Sequence, residues 1–337
     1  MLSASSKQTE RHPAPAGLTI RSFEPTDADY ATLVAIDAAV YPEYPETVTE
    51  MRAGDAARPD FLKHGRFIAE LNGTPVGYAS YYQFAGMYHP RRFGMFLAVR
   101  PTWQNQGLGH ALYAYVRTVL EPHDPLSLRC NVREDFQPTL RFVQARGFVE
   151  DNRTWESRLD VAAFDPTPFA GAEARLQAAG ITIATMAELD ARDPNARQKL
   201  FELDQHATED EPHPEPQTPI TREAYDGWVF NSPNYLPEAN FIALDGEQFV
   251  ALSTLRRSDA DPSELYVGFT GVHRNYRGKG LAMALKLRTI AYAQQRGIKT
   301  LKTWNDAINR PMLRINEALG FAKQPAWLSL VLHLDKE

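Results

Sequence analysis

The sequence predicts a duplicated α/β fold, two units of one design in tandem, and three observations carry that prediction. Landmarks recur at one spacing: Gln104 and Arg277, Gly107 and Gly280, Gly109 and Ala282, Pro138 and Pro311, and the pairs Gly147-Phe148 and Gly320-Phe321 all lie 173 residues apart. In each copy two apolar runs flank Asn72-Gly73 or Asp245-Gly246, dipeptides that accept the positive φ of a tight hairpin turn. In each copy a third apolar run ends at a glycine-cornered turn that opens a helical pattern. A length of 337 residues agrees with two domains, each able to bury a core of its own.

The elements follow in the same order in both copies. "GLTIRSF" from Gly17 and "GITIATM" from Gly180 read as opening strands. "FIAELNGTPVGYASYY" from Phe67 and "FIALDGEQFVALSTLR" from Phe241 read as hairpins, their offset slipping by one residue at the turn, as one insertion or deletion would produce. "FGMFLAV" (Phe93 to Val99) and "LYVGFTGV" (Leu265 to Val272) read as central strands. After the first glycine turn Leu108, Ala111, Leu112, Tyr115, Val116 and Val119 form the stripe of a helix packed on a sheet. The helix from Leu281 is apolar on more than one side and is expected to be more buried. A short strand, "LSLRCNV" or "KTLKTWN", precedes a helix opened by Pro138 or Pro311, where a missing N–H does no harm. Gly147 or Gly320 stops that helix as a left-handed cap. A last strand carries Trp155 or Trp327. The seam falls in "FDPTPFAGA" (Phe164 to Ala172), giving a tail over 1–16, a first domain over 17–165 and a second over 166–337.

Composition narrows the function classes. With 43% apolar, 11% aromatic and 23% charged residues the chain is neither disordered, fibrous nor a disulfide scaffold. A net charge of -6 gathers neither nucleic acid nor anionic membrane, so phosphate binding has to be local. No apolar run is long enough to span a bilayer, and the first 16 residues lack the apolar centre of an export signal. The single Cys130, in a strand, reads as an inert core thiol, and the expected compartment is cytoplasmic. His206 and His213 have no partners at metal spacing, so no metal is expected.

A strand that feeds a helix through Gly-x-Gly leaves the first N–H groups of the helix unpaired, at the positive end of its dipole, in a gap no Cβ blocks. A phosphate belongs there. Neither turn matches a P-loop, and Leu112 and Leu285 stand where a dinucleotide fingerprint needs a third glycine. What remains is [Gln/Arg]-x-x-Gly-x-[Gly/Ala]: Gln104-Asn105-Gln106-Gly107-Leu108-Gly109 and Arg277-Gly278-Lys279-Gly280-Leu281-Ala282.

On these motifs the chain resembles the GNAT acetyltransferase family in two tandem copies, Gly17 to about Asp160 and Gly180 to Leu334. "QPTLRFVQARGF" and "NRPMLRINEALGF" resemble its closing helix. The resemblance implies two domains, each a mixed, mostly antiparallel twisted sheet flanked by helices, with acetyl-CoA as cosubstrate. Its diphosphate would lie on the turns, with His110 beside the first. Its pantetheine would bond backbone near Ala98, Val99 and Arg100, and near Val272, His273 and Arg274. Asn305 and Asn309 lie where the family often touches the cofactor, although both suit plain turn and cap positions. Arg274, Arg277 and Lys279 make the second turn the more basic, which favours the second copy for phosphate affinity and catalysis.

The resemblance is less complete at the chemistry. The family's strand carboxylate falls on Phe93 and Tyr266, neither an acid; Glu264, two residues earlier on the same strand face, is the candidate base, or a plain surface glutamate. The thiolate-protonating tyrosine falls on Val143 and Asn316; Asn316 can donate a hydrogen bond to sulfur but has no proton to give. In "LDQHATEDEPHPEPQTP", Asp204, Glu209, Asp210, Glu211 and Glu215 either draw a cationic amine or form a solvated loop. The implied activity is acetyl transfer to a primary amine of a small molecule or peptide, with a non-catalytic acyl-CoA sensor as the alternative. The two copies are expected to pair within a monomer, or the chain to form a homodimer.

Overall fold

The computed structural model describes residues 14–209 and 215–334. Most of the expected tail, and Asp210, Glu211 and His213, lie outside the described residues. The first copy runs β1 (Leu18–Ser22), α1 (Asp27–Val40), α2 (Val48–Ala56), β2 (His64–Leu71), β3 (Thr74–Tyr82), β4 (Arg92–Val99), α3 (Leu108–Leu120), β5 (Ser127–Arg133), α4 (Gln137–Gln144) and β6 (Val149–Asp160). The second runs α5 (Ala172–Ala178), β7 (Ile181–Thr185), α6 (Met186–Arg192), α7 (Ala196–Thr208), α8 (Arg222–Trp228), β8 (Tyr235–Asp245), β9 (Gln248–Arg257), β10 (Glu264–Val272), α9 (Leu281–Gln295), β11 (Thr300–Asp306), α10 (Arg310–Ala318), β12 (Ala322–Lys323) and β13 (Trp327–His333).

Local chemistry accounts for the element ends. Thr26 accepts from the Asp29 N–H to start α1, and Thr47 and Glu50 close a reciprocal capping box on α2. Asn72 (φ 51°) and Gly73 (φ 80°) both take the left-handed conformation that turns β2 into β3. The core stripe of α3 is narrower than its spacing suggests. Leu108, Leu112, Val116 and Leu120 are at most 1% exposed, while Ala111, Tyr115 and Val119 are only half-buried. α9 buries seven residues, Lys286 and Thr289 among them, in keeping with its apolar circumference.

The strands form one mixed sheet in the order β1-β2-β3-β4-β5-β13-β6-β11-β10-β9-β8-β7, with β12 beside β6. Among the described strands only the pairs β4–β5 and β10–β11 are parallel. The order contains an exchange: β13, from the second copy, pairs with β5, and β6, from the first, pairs with β11. Leu328 and Leu330 therefore complete the first copy's core, and Leu159 the second's. The two final strands are equivalent in a repeated sequence, so alternation predicts them as strands without choosing their neighbours.

Each copy also reaches into the other through the segment that follows its early helices. The backbone carbonyl of Glu43, between α1 and α2, accepts from Lys302 Nζ at 2.8 Å, and Lys302 is ion-paired to Glu264 at 2.5 Å. The Glu43 carboxylate takes Arg158 at 2.5 Å and Arg133 at 3.2 Å, and the Tyr44 hydroxyl donates to Glu156. In the reverse direction Glu215, before α8, pairs with Arg92 and, at 3.4 Å, with Arg129. Arg129 and Lys302 occupy matching places on β5 and β11, so each copy covers the buried cation of the other's strand.

Candidate active site

β4 and β5 pair only from Arg92–Ser127 to Gly94–Arg129, and β10 and β11 only from Glu264–Thr300 to Tyr266–Lys302. Beyond those rungs the ladders stop. In an antiparallel ladder successive residues turn their N–H and C=O to opposite neighbours. The Arg100 N–H donates to the Val76 carbonyl at 2.9 Å, so Ala98 and Phe96 also face β3, whereas Met95, Leu97 and Val99 face the gap. In the second copy the His273 N–H donates to the Val250 carbonyl at 2.9 Å, which leaves Val272 on the gap side. Of the strand-end backbone expected from sequence, Val99 and Val272 meet the gap; Ala98, Arg100 and His273 bond to the neighbouring strand.

The turns are built alike. Gln104 Nε2 donates to the Val99 carbonyl at 3.0 Å and Arg277 Nε to the Val272 carbonyl at 3.1 Å, so the first motif residue ties each turn to its strand end. Asn105 (φ 60°) and Gly107 (φ 83°) are left-handed in one turn, Gly278 (φ 74°) and Gly280 (φ 83°) in the other. Alternating left-handed residues gather N–H groups into an anion-binding concavity. A Cβ built on Gly280 meets nothing within 4 Å, so the concavity is open on that side. Gln106 Nε2 returns to the Thr102 carbonyl at 3.4 Å, and the side chains of Leu108 and Leu281 point into the cores at 1% exposure.

Gly109 differs from its neighbours. It lies in the first turn of α3, and its missing Cβ would stand 3.5 Å from Phe142, an ordinary contact; Ala282 occupies the matching place. Gly109→Ala is therefore expected to stabilise the protein by about 0.5–1 kcal/mol, since glycine is the poorer helix former. A thermal melt measures it, and a lowered Tm would mean that Phe142 cannot accommodate the methyl group.

The gap of the first copy is open. A cavity of about 670 Å³ lies between β4 and β5, walled by Gln104, Asn105, Gly107, Gly109 and His110 at one end, by Phe142 and Val143 of α4, and by Val40 and Tyr41 at the other end. Its size falls within the range of small-molecule sites. Tyr41 stacks on Phe136 at 5.4 Å and lies 5.8 Å from Trp327, so the exchanged strand β13 helps wall the inner end. Burial pushes the Tyr41 hydroxyl up to about 12 and the Cys130 thiol, which also lines the cleft, up to about 12; both keep their protons at neutral pH.

The second copy is arranged differently. Tyr266 and Trp304 bring their rings to 5.6 Å on β10 and β11, and the β9–β10 register shifts between Val267 and Thr270. Such a bulge leaves backbone unpaired and re-aims the strand. Asn316, 1% exposed, donates to Asn305 Oδ1 at 2.6 Å, and Asn309 caps α10 through the Met312 N–H at 3.3 Å. Lys279 Nζ lies 4.7 Å from the Tyr276 ring, and Arg274 reaches Glu209 at 3.8 Å. Glu264 is held by Lys302 beneath the Glu43 loop, at the end of β10 remote from the turn. Glu215 is likewise engaged, by Arg92 and Arg129.

Sequence reasoning passed over a group of carboxylates on α1, α2 and the loop between them. The Tyr78 hydroxyl donates its one proton to the Asp37 carboxylate, lying 2.8 Å from both of its oxygens, and partial burial of Asp37 pushes its carboxyl up to about 6. Glu46 faces solvent inside a concave wall; that enclosure, reinforced by the charges of Asp37 and Glu50, pushes it up to about 7. The "YPEYPE" run from Tyr41 to Glu46 was the available signal, but it fits no motif, and only folding sets Tyr41 on the cleft wall and Glu46 in a second cavity.

A splayed strand pair ending in an N–H concavity has the shape that suits a long ligand with one anionic end. The chain belongs to the acetyltransferase (GNAT) family, whose family model matches residues 33–148 and 198–321. A mycothiol acetyltransferase of Thermobifida fusca (strain YX) is 27% identical over 238 residues, 67% of this chain and 70% of that protein. A tandem GNAT protein from the clavulanic acid biosynthesis pathway superposes with a TM-score of 0.73 at 18% identity, covering 95% of this chain and 99% of that one. A GCN5-related N-acetyltransferase from Sphaerobacter thermophilus does so at 0.71 and 17%, covering 96% and 98%. The protein is an N-acetyltransferase that uses acetyl-CoA. Among the described residues no helix is long and apolar enough to cross a membrane.

Proposed function

We propose that the chain transfers the acetyl group of acetyl-CoA to a primary amine of a small molecule or peptide, and that the transfer takes place in the first copy. The sequence favoured the second. The observation that carries the change is the open cleft between β4 and β5, which runs from the N–H concavity at Asn105 and Gly107 to the aromatic wall at Tyr41.

The gap-facing Met95 carbonyl, the Leu97 backbone and the Val99 N–H, beyond the last β4–β5 rung, suit the extended pantetheine arm, and the concavity suits the diphosphate. Acetyl-CoA supplies the acetyl group as a thioester. N–H groups of β4 that face the gap stand where negative charge grows on the acyl oxygen. Glu46 takes the proton from the acceptor amine, its affinity near neutrality matching that task. Asp37, held by Tyr78, adds negative charge behind it and favours a cationic acceptor.

The specific observations that favour the second copy are the β10 bulge and its basic turn, with Arg277 and Lys279. Thiol release from acetyl-CoA against polyamines, amino acids, aminoglycosides and peptides tests the activity. Tight binding with no thiol release across the panel would leave an acyl-CoA sensor.

The role of Glu46 has its own test. With a folded affinity near 7, kcat/KM is expected to rise with pH through about 7, as the carboxylate loses its proton. Glu46→Gln should lower kcat/KM about 10²–10⁴-fold and remove that inflection. A variant that keeps the inflection excludes Glu46 as the base. Linkage runs the other way for stability. Asp37 and Glu46 are raised from ordinary values of 3.8 and 4.5, so between about pH 4 and 7 the folded chain binds more protons than the unfolded one, and their contribution falls as pH rises.

A further inference from the structure

A second cavity, of about 440 Å³, lies where the two halves meet. One wall is the loop and helix of the first copy that carry Glu46 and Glu50; the other brings Trp228, Asn234 and Arg256 from the second. The loop from Tyr41 to Glu46 is shared: Tyr41 lines the acetyl-CoA cleft and Glu46 lines this cavity.

The polar groups of the cavity divide into engaged and unengaged. Glu50 is engaged: it takes the Asn234 side chain at 2.7 Å, the Thr47 N–H at 2.7 Å and the Asp259 N–H at 3.2 Å. Glu46 has no hydrogen-bond or ion-pair partner among the described residues. Arg256 reaches only Ser232 Oγ, at 3.4 Å, with no carboxylate at ion-pair distance among the described residues; its neighbour Arg257 is paired to Asp259 at 3.0 Å. Asn234 Oδ1 is buried there without a donor. The Arg256 side chain is exposed to the cavity, and desolvation lowers its pKa, with the Glu50 charge opposing. One carboxyl group, Glu46, and one guanidinium, Arg256, thus line the same cavity from opposite halves, with no ion pair between them among the described residues.

We propose that this cavity binds the acceptor, and that the acceptor is a zwitterion of the amino-acid class. Its carboxylate lies on Arg256, its apolar part against Trp228, and its amine is directed to Glu46. Arginine suits this because its fork matches a carboxylate with two parallel hydrogen bonds. The alternative ligand classes fit less well: a polyamine leaves Arg256 facing another cation, and a dicarboxylate brings a second anion to Glu46 and Glu50. The proposal rests on the reading that Glu46 serves the acceptor amine in the first copy.

The test is calorimetry on the full chain with the common amino acids, each beside its carboxamide, followed by thiol release with acetyl-CoA for the pairs that bind. At least one amino acid should bind about tenfold or more tightly than its amide. Arg256→Gln should bring the acid down to the level of the amide without changing the amide, and Arg256→Lys should restore part of the difference. Equal binding of acids and amides, no binding by any acid, or an undiminished preference in the folded Arg256→Gln protein overturns the proposal. Arg256-dependent binding without thiol release sustains the binding site and overturns the transfer reading. Thiol release that ignores both the carboxylate and Arg256 does the reverse.

Discussion

Gly107→Val is expected to abolish acetyl transfer, while Gly280→Val leaves the rate within about twofold. Gly107 holds φ at 83°, a conformation costing an L residue roughly 1–2 kcal/mol and a β-branched one more. Losing that conformation would dismantle the N–H concavity proposed for the diphosphate, so acetyl-CoA affinity in the first cleft should fall about 100-fold or more. Gly280 has the same backbone, with open space before it. Its substitution removes the second concavity alone. Binding stoichiometry by calorimetry and thiol release on the same preparations separate the copies. Loss of turnover in Gly280→Val with retention in Gly107→Val would assign the chemistry to the second copy.

Lys302→Met is expected to produce the largest loss of stability of any single change at the seam, about 3–5 kcal/mol. Lys302 is 1% exposed and bonds both the Glu264 carboxylate and the Glu43 carbonyl. Its removal leaves a mostly buried carboxylate without a counter-ion and a loop carbonyl without a donor. Chemical denaturation measures the loss. The double variant Lys302→Met, Glu264→Leu should recover most of it, because replacing a buried pair by apolar groups is often neutral. A single variant as stable as the parent would show that water satisfies Glu264 instead. Since Glu43 shares its loop with Tyr41 and Glu46, the single variant should also slow transfer.

The glycine turns were legible because their requirement is local. A left-handed residue next to unpaired helix N–H groups needs glycine or a tolerant substitute, and both Gly107 and the less ordinary Asn105 show it. The hairpin at Asn72-Gly73 and the stops at Gly147 and Gly320 were legible for the same reason. Glu264 was a reasonable candidate by strand alternation, but alternation carries no information about Lys302, whose ammonium holds it. Glu46 was invisible, because its place in a cavity lined by both halves, and the neighbouring Asp37 and Glu50 charges, are set by the fold.

The sequence by itself determined the duplication, the order of elements in each copy and the two glycine-cornered turns, all set by periodicity and by backbone angles over a few residues. Only the tertiary structure decided that β6 and β13 change places, that the first gap stands open, and that Glu46 and Arg256 share a cavity. Those outcomes depend on which of two equivalent edges a strand pairs with and on how distant side chains exclude water, and neither is written in any local run of residues.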